Sequence, residues 1–395
     1  MFDVKSVMNP AFVPFTEAAD DFKTQREAGG ELREMNWADP FRPDDTVPAH
    51  VKRVVVESLN TNAAHYTFPL GDQTLREKVA ARINARYKMN YDATRNVTIS
   101  GGSDNLFAFS LYPFLTPGME NEVMTPCPSY SHNLLVPSLI GGKTVPVPTR
   151  AEDGFQLRIE EFEARVTDKT RAVMIVSPNN PTGTVYSNES LQSLCDFVVR
   201  HDLILIVDQA FEDTVFVPQT FLCPAAFPGM KERTVLFGSL SKGMALCGFR
   251  VAYIIAPDVI SRVYQSTSVF FLGAPNTMAQ AGAVAALEDS AFVEEYRQEY
   301  VFRAEKLAEI IRQIPHVHFV MPESGFFFWL DISHYGTDQE VSDYLVREAN
   351  VLVSTGSMCG DPNYIRIIYG ALKDRDKCID AFYRIRDAFL RHPRA

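Results

Sequence analysis

The chain has no cysteine pair at C-x-x-C spacing and no histidines in H-x-x-x-H or H-E-x-x-H register. Metal sites built on those spacings have no ligands here, and none is expected. Six cysteines, Cys127, Cys195, Cys223, Cys247, Cys359 and Cys378, are scattered over 395 residues. That scatter fits a reducing compartment, where most cysteines are small buried hydrophobes. Long apolar runs are missing too. Leu203–Val207 is the longest aliphatic stretch, far below the roughly 20 residues that span a bilayer. Met1 to Pro10 is polar and acidic where a secretory signal needs an apolar run. A cytoplasmic protein without membrane association is expected. Positive charge is scarce: 38 lysines and arginines face 49 aspartates and glutamates, a net charge of −11. Such a surface repels phosphate backbones and argues against nucleic-acid binding. It leaves room for a local basic pocket that takes a small anion.

What is present is an ordinary globular composition, 46% hydrophobic and 22% charged. Short runs at Val97–Ser100, Ala172–Val176, Leu203–Val207, Val235–Phe237 and Val251–Ile255 are apolar on both faces. That is the pattern of strands buried in a parallel sheet. Helical patterns lie between them, as in Asn188–Arg200 with Leu191, Leu194 and Phe197 on one face. Alternating strands and helices predict an α/β sheet covered on both sides. The ends read differently. Residues 1–50 are proline-rich without a clear strand, and from about 286 long helical patterns precede strands at Phe326–Leu330 and Tyr364–Ile368. The expected layout is a large domain over 51–285 and a small α+β domain built from 1–50 and 286–395.

Ligands of open parallel sheets collect at the carboxyl ends of the strands. Asp208 follows Leu203–Val207, and Gly238-Ser239-Leu240-Ser241-Lys242 follows Val235–Phe237. Gly101-Gly102-Ser103-Asp104 follows Val97–Ser100, and Ser177-Pro-Asn-Asn180-Pro-Thr-Gly183 follows Ala172–Val176. An acid, a lysine, a helix start and an asparagine would therefore converge. Glycines before a helix let the backbone approach an anion, and the helix start offers free N–H groups. By themselves such glycines are most often a plain turn. A lone lysine is most often solvated, but one held in an apolar site can form a Schiff base with a carbonyl cofactor. Arg250, eight residues beyond Lys242, has the planar fork that suits phosphate.

Ser239-Leu-Ser-Lys-Gly-Met-Ala-Leu-Cys-Gly-Phe-Arg250 resembles the lysine motif of the class I/II aminotransferases, pyridoxal-phosphate (PLP) enzymes of the aspartate-aminotransferase fold, fold type I. Asn180-Pro-Thr-Gly183 is similar to their NPTG motif, and Asp208-Gln-Ala-Phe211 to their Asp-x-x-Tyr. Tyr66 and Gly71 before Leu75-Arg76, Pro126-Cys-Pro-Ser-Tyr130 and Tyr364-Ile-Arg366 match in the same order. The matches run from about residue 36 to 370.

The resemblance implies a mostly parallel central sheet flanked by helices. It also implies an enzyme that moves the amino group of an α-amino acid to a 2-oxo acid. Lys242 would hold the cofactor as a Schiff base and then move the α-proton. Asp208 would keep the pyridine nitrogen protonated; alone it would read as a strand-end cap. Asn180 would donate to the phenolic oxygen, and Tyr130 would stack on the ring; alone they would read as an Asx turn and ordinary core. Gly102, Ser103, Asp104, Ser239, Ser241 and Arg250 would hold the phosphate, Asp104 through its backbone N–H alone. Arg366 would fork the substrate carboxylate, as lysine does poorly. Tyr66 would reach the phosphate of a neighbouring subunit, which implies a homodimer.

Three positions depart from the family pattern. Phe211 replaces the usual tyrosine, whose hydroxyl donates to the phenolic oxygen, so the Schiff base should hold its proton to higher pH. Ala38, in Trp37-Ala-Asp-Pro40, replaces a glycine near the substrate, and Ser177 replaces an asparagine. The scaffold also supports elimination, replacement or cyclisation, and Phe211 adds weight to those chemistries. A PLP-sensing regulator would need an appended DNA-binding domain, for which no segment is evident. Phe12, Phe15, Trp37, Phe41 and Phe271 could form an aromatic substrate pocket or an ordinary core.

Overall fold

The structure is a computed structural model that describes residues 32–42, 46–61 and 64–394. Seven strands form its main sheet: β1 (Val97–Ser100), β2 (Glu122–Cys127), β3 (Lys143–Pro148), β4 (Thr170–Val176), β5 (Ile204–Asp208), β6 (Thr234–Ser239) and β7 (Ala252–Ile255). Their order is β1-β7-β6-β5-β4-β2-β3. Pairing is parallel from β3 through β6. The exception is β7, antiparallel to both β6 and β1. Apolar composition predicted that strand correctly but not its direction, because a strand buried on both faces looks alike either way round.

β5 lies at the centre, with Leu205, Ile206 and Val207 fully buried. The two faces of the sheet feed two apolar clusters. Val173, Ile175, Leu205, Val207 and Leu236 point into one, and Ala172, Met174, Ile206, Val235 and Phe237 into the other. This is the alternation of side chains along a strand, with both faces apolar because helices cover both. Helix α1 (Gln73–Tyr87) starts at Asp72, whose side chain accepts from Leu75 N. Helix α2 (Asp104–Leu111) begins at the β1 exit without a side-chain cap bond. Helix α3 (Asn188–Arg200) matches the expected range, with Ser187 accepting from Ser190 N, Glu189 in the first turn and Arg200 in the last. Those placements suit the helix dipole.

A second sheet contains β8 (His318–Phe319), β9 (Phe327–Asp331), β10 (Ser354–Thr355) and β11 (Tyr364–Ile368), in the antiparallel order β10-β11-β9-β8. Helices α4 (Ala291–Ile311) and α5 (Arg375–Leu390) pack with it around another apolar cluster. Met35 and Phe41 join that cluster, and so do Ala210 and Phe211 from the loop after β5. A short parallel strand at Arg33–Glu34, pairing with Val351–Leu352, lies in the stretch read as strandless. Among the described residues no helix is long and apolar enough to cross a membrane.

Candidate active site

The carboxyl ends of β1, β4, β5 and β6 open on one edge, because these four strands run the same way. Asp208 closes β5 and is 3% exposed. One of its oxygens accepts from Ala210 N at 2.9 Å. Burial pushes its carboxyl up to about 7; the Ala210 N–H opposes this, Asp104 adds to it, and Lys242 opposes it. Loss of water outweighs one hydrogen bond and one attractive charge at such a depth.

Lys242 stands in the turn after β6, half-buried, and its Nζ donates to Ala38 O at 2.6 Å. Ser239 Oγ and Ser241 Oγ, both buried, are 2.8 Å apart, and Ser241 N donates to Ser239 Oγ at 3.1 Å. At the β1 exit Gly102 has φ +111°, and a Cβ there would overlap the Arg250 guanidinium. Glycine is therefore required twice over, for backbone conformation and for space. Arg250 Nη1 donates to Cys247 O at 3.2 Å and Nη2 to Asp104 Oδ2 at 2.8 Å. Ser103 precedes the first helical residue, Asp104.

The second sheet supplies Arg366, on β11. Its Nη1 donates to Asn180 Oδ1 at 2.7 Å and its Nη2 to Ser354 Oγ at 3.3 Å, while Nε is buried without a partner. Asn180 is 3% exposed. Tyr130, in the loop after β2, stacks on His132 with ring centroids 4.6 Å apart and planes at 5°. His132 Nε2 is 3.7 Å from Asp104 Oδ1. The sequence reading passed over His132, because a tyrosine two residues from a histidine carries no signal until both rings turn to one side.

Phe211 is buried, edge-on to Phe327 at 5.2 Å and tilted against Phe326 at 5.7 Å. It belongs to the apolar cluster of the second sheet. Among the described residues the aromatics do not gather into one pocket. Phe41 stacks on Tyr300 at 5.2 Å inside that same cluster, and Phe271 lies against Tyr112 at 4.6 Å. Phe12 and Phe15 lie outside the described residues. Trp37, 59% exposed, adjoins Ala38 and so stays next to Lys242. Tyr66 is 95% exposed and has no ring contact or hydrogen bond that ties it to these residues.

A half-buried amine, a buried carboxyl raised in pKa, a guanidinium laid on a glycine at a helix start and a second guanidinium with a spare donor form one constellation. It fits a group that carries a carbonyl, a basic ring nitrogen and a phosphate, which is the donor and acceptor set of pyridoxal phosphate. A mostly parallel sheet with such a lysine at a strand exit defines a PLP-dependent enzyme of fold type I. The family model for aminotransferase class I and II matches residues 34–385, and the chain belongs to that family. It is 30% identical to a probable aspartate/prephenate aminotransferase of Aquifex aeolicus, over 88% of this chain and 89% of that one. It is also 30% identical to an arginine–pyruvate transaminase of Pseudomonas aeruginosa, over 89% of each. The crystal structure of an aromatic aminotransferase from Pyrococcus horikoshii superposes with a TM-score of 0.85 at 30% identity, covering 93% of this chain and 98% of that one. The protein is a PLP-dependent aminotransferase.

Asp208 gives a test of the site's electrostatics. Its folded value lies above the ordinary carboxyl value of 3.8. The stability it contributes is therefore complete below about pH 4 and is lost as pH rises through about 7. Asp208→Asn removes this dependence. The difference in unfolding free energy between cofactor-free wild type and variant should fall across pH 4–8 by up to roughly 4 kcal/mol, at about 1.4 kcal/mol per pKa unit. Urea titrations at several pH values measure it, and a flat difference contradicts the assignment.

Proposed function

We propose that this enzyme moves the amino group of an α-amino acid to a 2-oxo acid in the cytoplasm, as a homodimer. Its large domain spans 51–285, and its small domain combines 1–50 with 286–395. The observation that carries the site assignment is the meeting of Lys242, Asp208, Asn180 and Arg366 from four separate segments around one edge of the sheet.

When bound, pyridoxal phosphate supplies an electrophilic carbonyl carbon and a protonated ring that accepts electron density. Lys242 would hold that carbonyl carbon through its amine, and the same amine, placed beside the substrate, would move the α-proton as general base and acid. Asp208, as a carboxylate, holds the proton on the ring nitrogen. A protonated ring nitrogen held by Asp208 would offset its loss of water, so the Asp208 carboxyl would ionise with the cofactor in place. Asn180, whose Oδ1 accepts from Arg366, would donate through its amide NH2 to the phenolic oxygen. Arg366 forks the substrate α-carboxylate, with Ser354 and Asn180 fixing the plane of its guanidinium. Gly102, Ser103 and Asp104 offer backbone N–H groups to the phosphate, joined by Ser239, Ser241 and Arg250. Tyr130 would stack on the cofactor ring, Phe211 would stand where a tyrosine hydroxyl could have reached the phenolic oxygen, and Ala38, whose carbonyl accepts from Lys242, would border the substrate. Tyr66, exposed in one chain, completes the phosphate site of a second copy.

Three outcomes test this reading. Borohydride reduction of PLP-loaded protein followed by peptide mapping should label Lys242, and Lys242→Ala should take up no label; a label on another lysine refutes the attachment site. Arg366→Lys should raise KM about tenfold or more while cofactor binding is kept, since on the order of 1.5–3 kcal/mol is at stake in charged hydrogen bonds. An unchanged KM over acidic, basic and aromatic amino acids removes Arg366 from the substrate site. Lys242→Ala and a cofactor-losing Tyr66→Phe variant should partly restore activity when refolded together, whereas a fully active monomer excludes a shared site.

A further inference from the structure

Two buried carboxylates, ion-paired with two partly exposed arginines, lie behind the site, and none of the roles above uses them. Glu212 and Asp213 follow Asp208 on the same loop, with side chains only 5% and 6% exposed. They face two arginines of α1. Arg82 is ion-paired with Asp213 and lies 3.6 Å from Glu212. Arg86 Nη1 is 2.9 Å from Asp213 Oδ1 and 3.1 Å from Glu212 Oε2. Glu212 also accepts from the hydroxyls of Tyr87 and Tyr253, the latter at 2.9 Å. Burying carboxylates in such a cluster seldom gains stability over apolar side chains of equal volume. Its distinctive property is direction: planar guanidinium forks and two phenol hydroxyls fix where each carboxylate points.

Two glycines show what that direction is used for. A Cβ on Gly243 would overlap the Asp213 side chain, so Asp213 rests directly on the backbone next to Lys242. A Cβ on Gly238 would overlap the Tyr253 phenol, which lies opposite Gly238 in the β6–β7 register and reaches across it to Glu212. The segment 238–243 carries Ser239, Ser241 and Lys242. It is thus held at both ends by side chains tied to the residues four and five places beyond Asp208.

We propose that Glu212 and Asp213 are positioning residues, which set the placement of the Lys242 amine relative to the Asp208 carboxylate through their contacts at Gly243 and Gly238. The inference rests on the reading that Lys242 carries the cofactor. Misplacement of a reacting group by about 1 Å can cost on the order of 100-fold in rate. A clasp on both ends of the lysine turn controls displacements of that size.

The test uses PLP-loaded protein and the variants Tyr253→Phe, Asp213→Asn and Gly243→Ala. Tyr253→Phe removes one hydroxyl and leaves the ring over Gly238. Asp213→Asn keeps the shape and removes the charge. Three quantities are read: the pH midpoint of the bound cofactor's visible absorbance, kcat and KM for the best amino donor of the wild type, and Tm. Each variant should move the absorbance midpoint by about 0.5 pH unit or more, where one unit is a tenfold change in the protonation equilibrium. Each should also lower kcat about tenfold with KM within about twofold. Tyr253→Phe combined with Gly243→Ala should lose less than the product of the single losses, as coupled sites do. If the variants lower Tm alone, with midpoint and kcat as in wild type, the network is purely structural and the proposal falls. Should Asp213→Asn fail to fold, Tyr253→Phe decides on the same readings. Borohydride mapping of the wild type separates the two levels: a label away from Lys242 overturns the attachment site, whereas a label on Lys242 with unmoved midpoints overturns only the positioning role.

Discussion

Arg366 Nη1 donates to Asn180 Oδ1 at 2.7 Å, and that bond ties a strand of the second sheet to the loop after β4 of the first. Both groups are at least nine-tenths buried. Neither could sit there unpaired, because a buried guanidinium or amide without partners costs several kcal/mol. The two sheets must therefore meet at one distance and one angle for the bond to form. The same meeting brings the Arg366 guanidinium of the second sheet to a loop at the carboxyl edge of the first.

The loop after β5 has a comparable double allegiance. Asp208 ends a strand of the main sheet, Ala210 and Phe211 enter the apolar cluster of the second, and Glu212 and Asp213 turn back to the arginines of α1. Within six residues the chain passes from strand end to buried carboxyl, to apolar seal, to carboxylates ion-paired with arginines. Phe211 is best understood from that position. Its ring is one of three packed phenylalanines, with Phe326 and Phe327, so its size is used by the seam between the clusters whatever chemistry its edge faces.

Charge is distributed with the same economy. The chain carries a net charge of −11, while two arginines, Arg250 and Arg366, stand at the carboxyl edge of the main sheet. Arg250 lies on Gly102 with Asp104 as its counterion. Asp208 has its carboxyl raised by burial, and the charge of Lys242 offsets that only in part.

The sequence by itself determined the strand-and-helix alternation, the run of α3, and the residues that leave each strand at its carboxyl end. These signals are local: an apolar run, a cap three residues from its partner, a glycine pair before a helix. The order of Gly102, Tyr130, Asn180, Asp208, Lys242 and Arg366 along the chain sufficed to indicate the family. Only the tertiary structure decided that β7 runs against its neighbours, that Phe41 and Phe271 serve packing instead of the site, that His132 lies flat on Tyr130, and that Gly238 and Gly243 make room for Tyr253 and Asp213. Each depends on contacts between segments distant in sequence. Composition records that a side chain is apolar, small or charged, but its partner is chosen by which surfaces the packed elements bring within a few ångströms.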